Sequence, residues 1–341
     1  MLDKSELRNI QFDEPTHKYK DEKGYDYISV TTLIGEVEQD FDKVYWAVYR
    51  ALDKANYRPR PFYETKEIEC LINNKRHKLP LSFYTKDTLP VINAANNILN
   101  IWEQITKDSC IWGNSKHKFL EDCVNVVNDD EKQKVKIHNL VNTKSKFTYK
   151  ITTIAEFKDS QLKDVYPIIH NKLCEYLTNG WIIYAEKRVY HSKYRVAGTI
   201  DILLVKDKQF IILDWKTNKK ELKFEEGYYK KVWNKERTVK IETDEFVNTN
   251  KGLKFPLEHL PACKGSTYTL QLSLYALIVE SWGLKCKGII LCHFRTKLDK
   301  IGNPILDNAG ERIEHTPVVY RLNYLEQDCT DLLNHRYTQL N

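Results

Sequence analysis

The chain is 341 residues long, 42% hydrophobic and 29% charged, with 53 basic against 47 acidic residues and a net charge of +6. That length is enough to bury a core, and that balance excludes a disordered or low-complexity polymer. No apolar run approaches the roughly 20 residues that span a bilayer, and the opening MLDKSELRNIQF lacks a hydrophobic signal core. A soluble, cytoplasmic protein without a membrane partner is therefore expected.

Residues 8–28 alternate and turn through Lys23 and Gly24, which predicts a β-hairpin. Ser29 or Thr31 then caps a helix, with Glu36 near its beginning. Residues 40–107 read as mostly helical, interrupted around Arg58–Pro61 and at Leu79 and Pro80. Gly113 is expected to open a helix whose apolar stripe is Leu120, Val124 and Val127, placing His117 and Glu121 at the edge of its core-facing side. A further helix over about 160–178 ends at Gly180, a good residue for a helix C-terminus.

Three strands follow: Trp181–Tyr190, Arg195–Val205 and Phe210–Lys216. The last two are apolar on both faces, as in a sheet covered on both sides. Residues 217–266 are polar and lysine-rich, with one strand-like alternation at Arg237–Ile241, and read as an insertion or flap. Then come a helix, Thr267–Trp282, stopped by Gly283, strands Lys287–Phe294 and Val318–Leu322, and a closing helix, Leu325–Leu340. This order predicts an α/β fold with a central mixed sheet flanked by helices and a largely helical N-terminal half. The expected organisation is a hairpin and helical region over 1–110 and a core over 111–341, in one compact unit with the insertion at 217–266. There is no internal repeat, and no G-x-x-x-x-G-K-[ST] phosphate loop suggests an attached motor.

The basic residues Lys216, Lys219, Lys220, Lys230 and Lys231 lie close together in sequence; a net charge of +6 is compatible with a polyanionic partner. Eight cysteines are scattered without a C-x-x-C pair, so neither a zinc knuckle nor a disulfide framework is signalled. Cys263, Cys286, Cys292 and Cys329 contain no tight pair, and Cys286 and Cys292 flank an expected core strand, which argues against an iron–sulfur cluster.

The chemistry concentrates in AGTIDILLV-KDKQ-FIILDWK. With a turn over Lys206–Gln209, Val205 faces Phe210, and counting back sets Asp201 opposite Asp214. Opposed residues of an antiparallel pair hold their Cβ atoms about 4.5–5.5 Å apart. The period of two puts Asp214 and Lys216 on one face and turns Trp215 away. Two carboxylates that close repel each other unless a cation lies between them. Glu186, on the preceding strand, lands opposite Asp201 if the turn spans Ser192–Arg195.

Gly198-x-x-Asp201 followed by Asp214-x-Lys216 resembles the core of the PD-(D/E)XK nuclease superfamily. Three further motifs resemble its RecB-like exonucleases. They are Gly113-x-x-x-His117-x-x-x-Glu121, Gln271-x-x-x-Tyr275, and His17-Lys18-Tyr19 followed by Ser29-Val30-Thr31. The last is similar to the start of many phage-encoded members and of a mitochondrial genome-maintenance exonuclease. The resemblance runs in order from about residue 11 to about 295 and implies a restriction-endonuclease-like core.

It also implies Mg²⁺ or Mn²⁺ held by Asp201, Asp214, His117 and the backbone carbonyl of Trp215. Lys216 would activate or orient water, and Glu186 would be an auxiliary metal or water ligand. Glu121 would orient His117, and Gln271, Tyr275, Ser29 and Thr31 would support the site or contact DNA. The implied activity is a metal-dependent exonuclease acting on DNA ends or single strands, in host bacterial cytoplasm if phage-encoded. A structure-specific endonuclease on branched or flapped DNA and a non-catalytic DNA-binding protein of the same fold are the alternatives. Nothing in the sequence names a protein partner.

Overall fold

The computed structural model describes residues 10–13, 18–21, 23–54, 67–72, 75–80, 88–124, 149–151, 157, 160–236, 238, 240–299 and 302–340. In chain order, β1 (Ile10–Asp13), β2 (Lys18–Asp21) and β3 (Asp26–Ser29) lead into α1 (Val30–Val37) and α2 (Lys43–Lys54). Strands β4 (Glu67–Ile72) and β5 (Lys75–Pro80) precede the long α3 (Thr88–Val124). After β6 (Tyr149–Ile151) come α4 (Leu162–Val165), α5 (Pro167–Thr178), β7 (Ile182–His191), β8 (Val196–Lys206) and β9 (Gln209–Asn218). The chain finishes with β10 (Gly227–Trp233), β11 (Lys240–Asn248), α6 (Lys264–Glu280), β12 (Lys285–Arg295), β13 (Val318–Leu322) and α7 (Glu326–Leu340).

Two units emerge. The first comprises Met1–Gln39, Lys116–Val232 and Ile241–Asn341, and is built on a mixed sheet of nine strands. Strand β8 runs antiparallel to β7 on one side and to β9 on the other, and β9 lies parallel to β12. A parallel neighbour requires a crossover connection, and α6 supplies it. The strands β9 and β12 are apolar on both faces because both faces are covered. Leu270, Leu274 and Ile278 of α6, Leu33 of α1 and Leu332 of α7 pack one face with Phe210 and Ile212. Leu120 and Val124 of α3 and Ile169, Leu173 and Leu177 of α5 pack the other with Ile211, Leu213 and Trp215.

The feature that matters for the site is a fork in β8. Its C-terminal half pairs with β9 from Lys206↔Gln209 to Ile202↔Leu213. Its N-terminal half pairs instead with β3, parallel, through Val196↔Ile28 and Ala197↔Ser29. Asp201 and Asp214 are the first residues past the point where the two central strands separate.

The second unit, Asp40–Ser115 with Trp233–Lys240, has its own core of Ala47, Val48, Ala51, Leu52, Ile72, Leu79, Ala95 and Leu99.

Several expectations need correction. The N-terminal hairpin is a three-stranded meander, because a second pair, β1 with β2, precedes the turn at Lys23 and Gly24. Its β3 joins the central sheet, so residues up to Gln39 belong with the core and not with a separate 1–110 region. The span 40–107 contains the hairpin β4–β5, and Leu79 and Pro80 end a strand there. Gly113 does not open a helix: α3 runs through it from Thr88, and an interior glycine costs only about 1 kcal/mol. Val127 and His17 lie outside the described residues. The insertion holds two strands, β10 and β11, which pair as a separate ribbon. The ends of α5 and α6 fall as expected, with Gly180 at φ 80° and Gly283 at φ 84°.

Candidate active site

The register of β7–β9 follows from two turns. Asp207 and Lys208 close the hairpin between Lys206↔Gln209, and Ser192–Arg195 turn β7 into β8. The flanking pairs Ala185↔Ile202 and Lys187↔Ile200 set Glu186 opposite Asp201. Glu186 has a positive φ of 51°, a conformation costly for a residue with a Cβ, and it interrupts the ladder there. Strain of this kind collects where a side chain must be aimed.

Both aspartates are buried, Asp201 at 9% and Asp214 at 2% exposure. Where the ladder stops, Asp201 replaces it: its Oδ2 accepts the backbone N–H of Trp215 at 2.7 Å. The Trp215 ring turns to the opposite core, 6.1 Å from Phe294. Lys216 Nζ lies 2.6 Å from Asp214 Oδ2. The contact is an ion pair without the alignment of a hydrogen bond, so this buried oxygen keeps unmet acceptor capacity. His117 Nδ1 stands 3.7 Å from Asp201 Oδ1, too far for a direct hydrogen bond.

The electrostatics split the two acids. Burial pushes Asp214 up from 3.8 to about 6, partly offset by Lys216 and reinforced by Asp201. For Asp201, burial also raises the pKa, but His117, Lys216 and the Trp215 N–H outweigh it and hold the carboxyl below its ordinary value. Burial works against the charged form of Lys216, yet Asp214 and Asp201 more than compensate and raise its pKa. His117 is likewise raised, because Asp201 outweighs its desolvation. Two neighbouring carboxylates thus share their titration, one holding its charge and the other inclined to take a proton.

A hard divalent cation fits this donor set. Mg²⁺ binds through one or two carboxylates and keeps water and substrate phosphates as its other ligands. Asp214 Oδ2, buried and paired with the Lys216 ammonium, is the oxygen such an ion would share. Among the described residues, no three His, Cys, Asp or Glu side chains gather closely enough to hold an ion alone.

The remaining expected residues have partners of their own. Gln271 and Tyr275 are buried on α6, and Gln271 Nε2 donates to the Tyr275 hydroxyl at 3.1 Å. A Cβ on Gly198 would lie 2.5 Å from Tyr275 Cε1, so glycine is what lets the ring lie on β8 three residues before Asp201. Both residues are thus buried, with the Tyr275 ring against the strand that carries Asp201. Glu121 pairs with Lys118 at 3.2 Å. Ser29, not Thr31, caps α1 by accepting the Thr32 N–H at 2.9 Å, and its hydroxyl meets those of Thr31 and Thr32 at 2.7 Å. Cys292 packs in one core, and Cys329 in the other with Cys286 packed against it, on opposite faces of the sheet.

Sequence reasoning missed Tyr268 and Asn218. The Lys216 ammonium lies 5.2 Å from the Tyr268 ring centre, and the Tyr268 hydroxyl meets Asn218 at 3.2 Å. Both were within reach of the periodicities used, since Asn218 follows Lys216 by two on β9 and Tyr268 precedes Gln271 by three on α6. Comparison with known proteins adds nothing to this geometry: no family model, curated protein or solved structure matches the chain. Among the described residues, no helix is long and apolar enough to cross a membrane.

Proposed function

We propose that the chain is a divalent-metal-dependent deoxyribonuclease of the RecB-like kind, hydrolysing phosphodiester bonds at DNA ends in the cytoplasm. One observation carries the reading. Two buried carboxylates, Asp201 and Asp214, meet where β8 and β9 separate, with the ammonium of Lys216 against one of them. Buried like charges cost free energy unless a cation is shared between them.

Asp201, Asp214, His117 and the Trp215 carbonyl are the groups that would hold Mg²⁺ or Mn²⁺. The bound ion would supply a water of lowered pKa and neutralise phosphate charge. Lys216, charged and held by Asp214, orients the attacking water and offsets negative charge growing on the phosphate oxygens. Glu186, opposite Asp201, adds a second carboxylate on the same strand pair that positions water. The Trp215 N–H fixes the Asp201 carboxylate, and Tyr275 on Gly198 fixes the strand beneath it.

The test is digestion of end-labelled single- and double-stranded DNA with Mg²⁺, Mn²⁺ or EDTA. Metal-dependent release of nucleotides from the ends, lost in Asp214→Asn, is expected. Incision of covalently closed circles would point to an endonuclease instead. Binding without any hydrolysis would leave a non-catalytic DNA-binding protein.

A further inference from the structure

Beside the acidic pair, on the same face of the sheet, lies a row of donors that the reaction above does not use. The parallel pairing of β9 with β12 sets His293 beside Lys216 and Arg295 beside Asn218. Directly paired residues share a face, so these four side chains project together, in two rows about 6.6 Å apart along the strands. Apart from Lys216, which Asp214 holds, their hydrogen-bonding capacity is largely unmet. His293 is fully buried, and neither of its ring nitrogens has a partner among the described residues. The Nε of Arg295 is buried and also without a partner. The anion nearest its guanidinium is Glu221, whose Oε1 stands 3.8 Å from Nη1 on a side chain that is 63% exposed. Among the described residues, the Asn218 side chain meets only the Tyr268 hydroxyl. A buried donor left unmade costs about 1–3 kcal/mol, so such a group is kept where something else completes it.

We propose that Arg295 and Asn218, on the same face as buried His293, bind the phosphate of the nucleotide next to the one cleaved beside Lys216. This inference rests on the nuclease reading of the site. The chemistry is that of a phosphate oxygen: a planar guanidinium with free N–H groups and an amide offer several donors at once, the geometry that suits phosphate. The spacing between the two rows is on the scale of one nucleotide step along a strand. Glu221 is the intramolecular competitor, a loosely held carboxylate that the incoming phosphate displaces. Arg295 therefore acts on the substrate through its guanidinium.

Two variants of opposite sign test it, in the full chain with Mg²⁺ and a fluorescein-labelled single-stranded oligonucleotide. Arg295→Gln raises KM about tenfold and leaves kcat within about twofold, since a charge-assisted contact to a non-reacting phosphate is lost. Glu221→Gln lowers KM by about threefold, because it removes the competitor. In an Asp214→Asn background that holds turnover off, Arg295→Gln also lowers the slope of log Kd against log salt by about 0.7, one phosphate contact of a single strand. Unchanged KM and unchanged salt slope in Arg295→Gln, with DNA still cleaved, overturn the subsite and leave the nuclease reading intact. Should Arg295→Gln fail to fold by its thermal melt, Glu221→Gln decides alone, and an unaltered KM there overturns the proposal. Absence of DNA cleavage by the unmodified chain removes the nuclease reading and the subsite with it.

Discussion

Replacing Asp214 by Asn separates the cost of a buried charge from its use. In the metal-free protein the Asp214 carboxyl is pushed from 3.8 to about 6, foremost by burial. A group whose folded pKa is raised contributes stability that is fully present below its unfolded pKa and lost as pH rises through the folded one. The window here runs from about pH 4 to above pH 6. At about 1.4 kcal/mol for each tenfold change in proton affinity, the loss amounts to about 3 kcal/mol. Asn cannot ionise and so avoids that loss. It also leaves Lys216 without its partner, but that penalty is nearly constant over the window because the lysine stays charged. His117, raised, and Asp201, lowered, titrate in both proteins and largely drop out of the difference. Urea melts in EDTA at several pH values from 4 to 8 should show Asp214→Asn gaining on the unmodified chain by about 3 kcal/mol across the series. Mg²⁺ should then stabilise only the unmodified chain, and increasingly as pH rises, because proton and metal compete for one oxygen. Parallel stability curves would refute the claim that Asp214 is an expensive, ligand-seeking carboxylate.

Gly198→Ala drives a methyl into the Tyr275 ring and should cost about 1–3 kcal/mol in denaturant melts. Tyr275→Ala relieves that clash, so the double variant should lose at least about 0.5 kcal/mol less than the sum of the two single losses. Lys216→Met should lower kcat at least about 100-fold with KM for DNA nearly unchanged in steady-state assays, since the ammonium acts on the reacting phosphate. Ser29→Ala removes the cap of α1 and should cost about 1 kcal/mol in the same melts, with kcat retained.

The heart of this site was readable because short turns fix register. A two-residue turn at Asp207 and Lys208 leaves one way to pair β8 with β9, so simple counting brings Asp201 to Asp214. The four residues Ser192–Arg195 do the same for Glu186. Long-range pairings carry no such local code. Nothing near Ser29 announces that β3 would pair with Ala197 of β8, yet that pairing makes the fork that frees the two acids. Strand β5, with Lys75, Arg76, His77 and Lys78 in a row, lacks the alternation that marks a strand, and only its partner β4 gives it shape. Continuity of α3 through Gly113 was hidden for a related reason, since glycine is a weak local signal against a long helix on either side. His293 was invisible as well, because inside an apolar strand a histidine reads as core until the parallel register sets it beside Lys216.

The most direct measurement is anomalous diffraction from crystals soaked in manganese. A peak bridging the carboxylates of Asp201 and Asp214, and absent from Asp214→Asn crystals, is the predicted result. An empty site in well-ordered crystals at millimolar manganese, with both carboxylates in place, would contradict it.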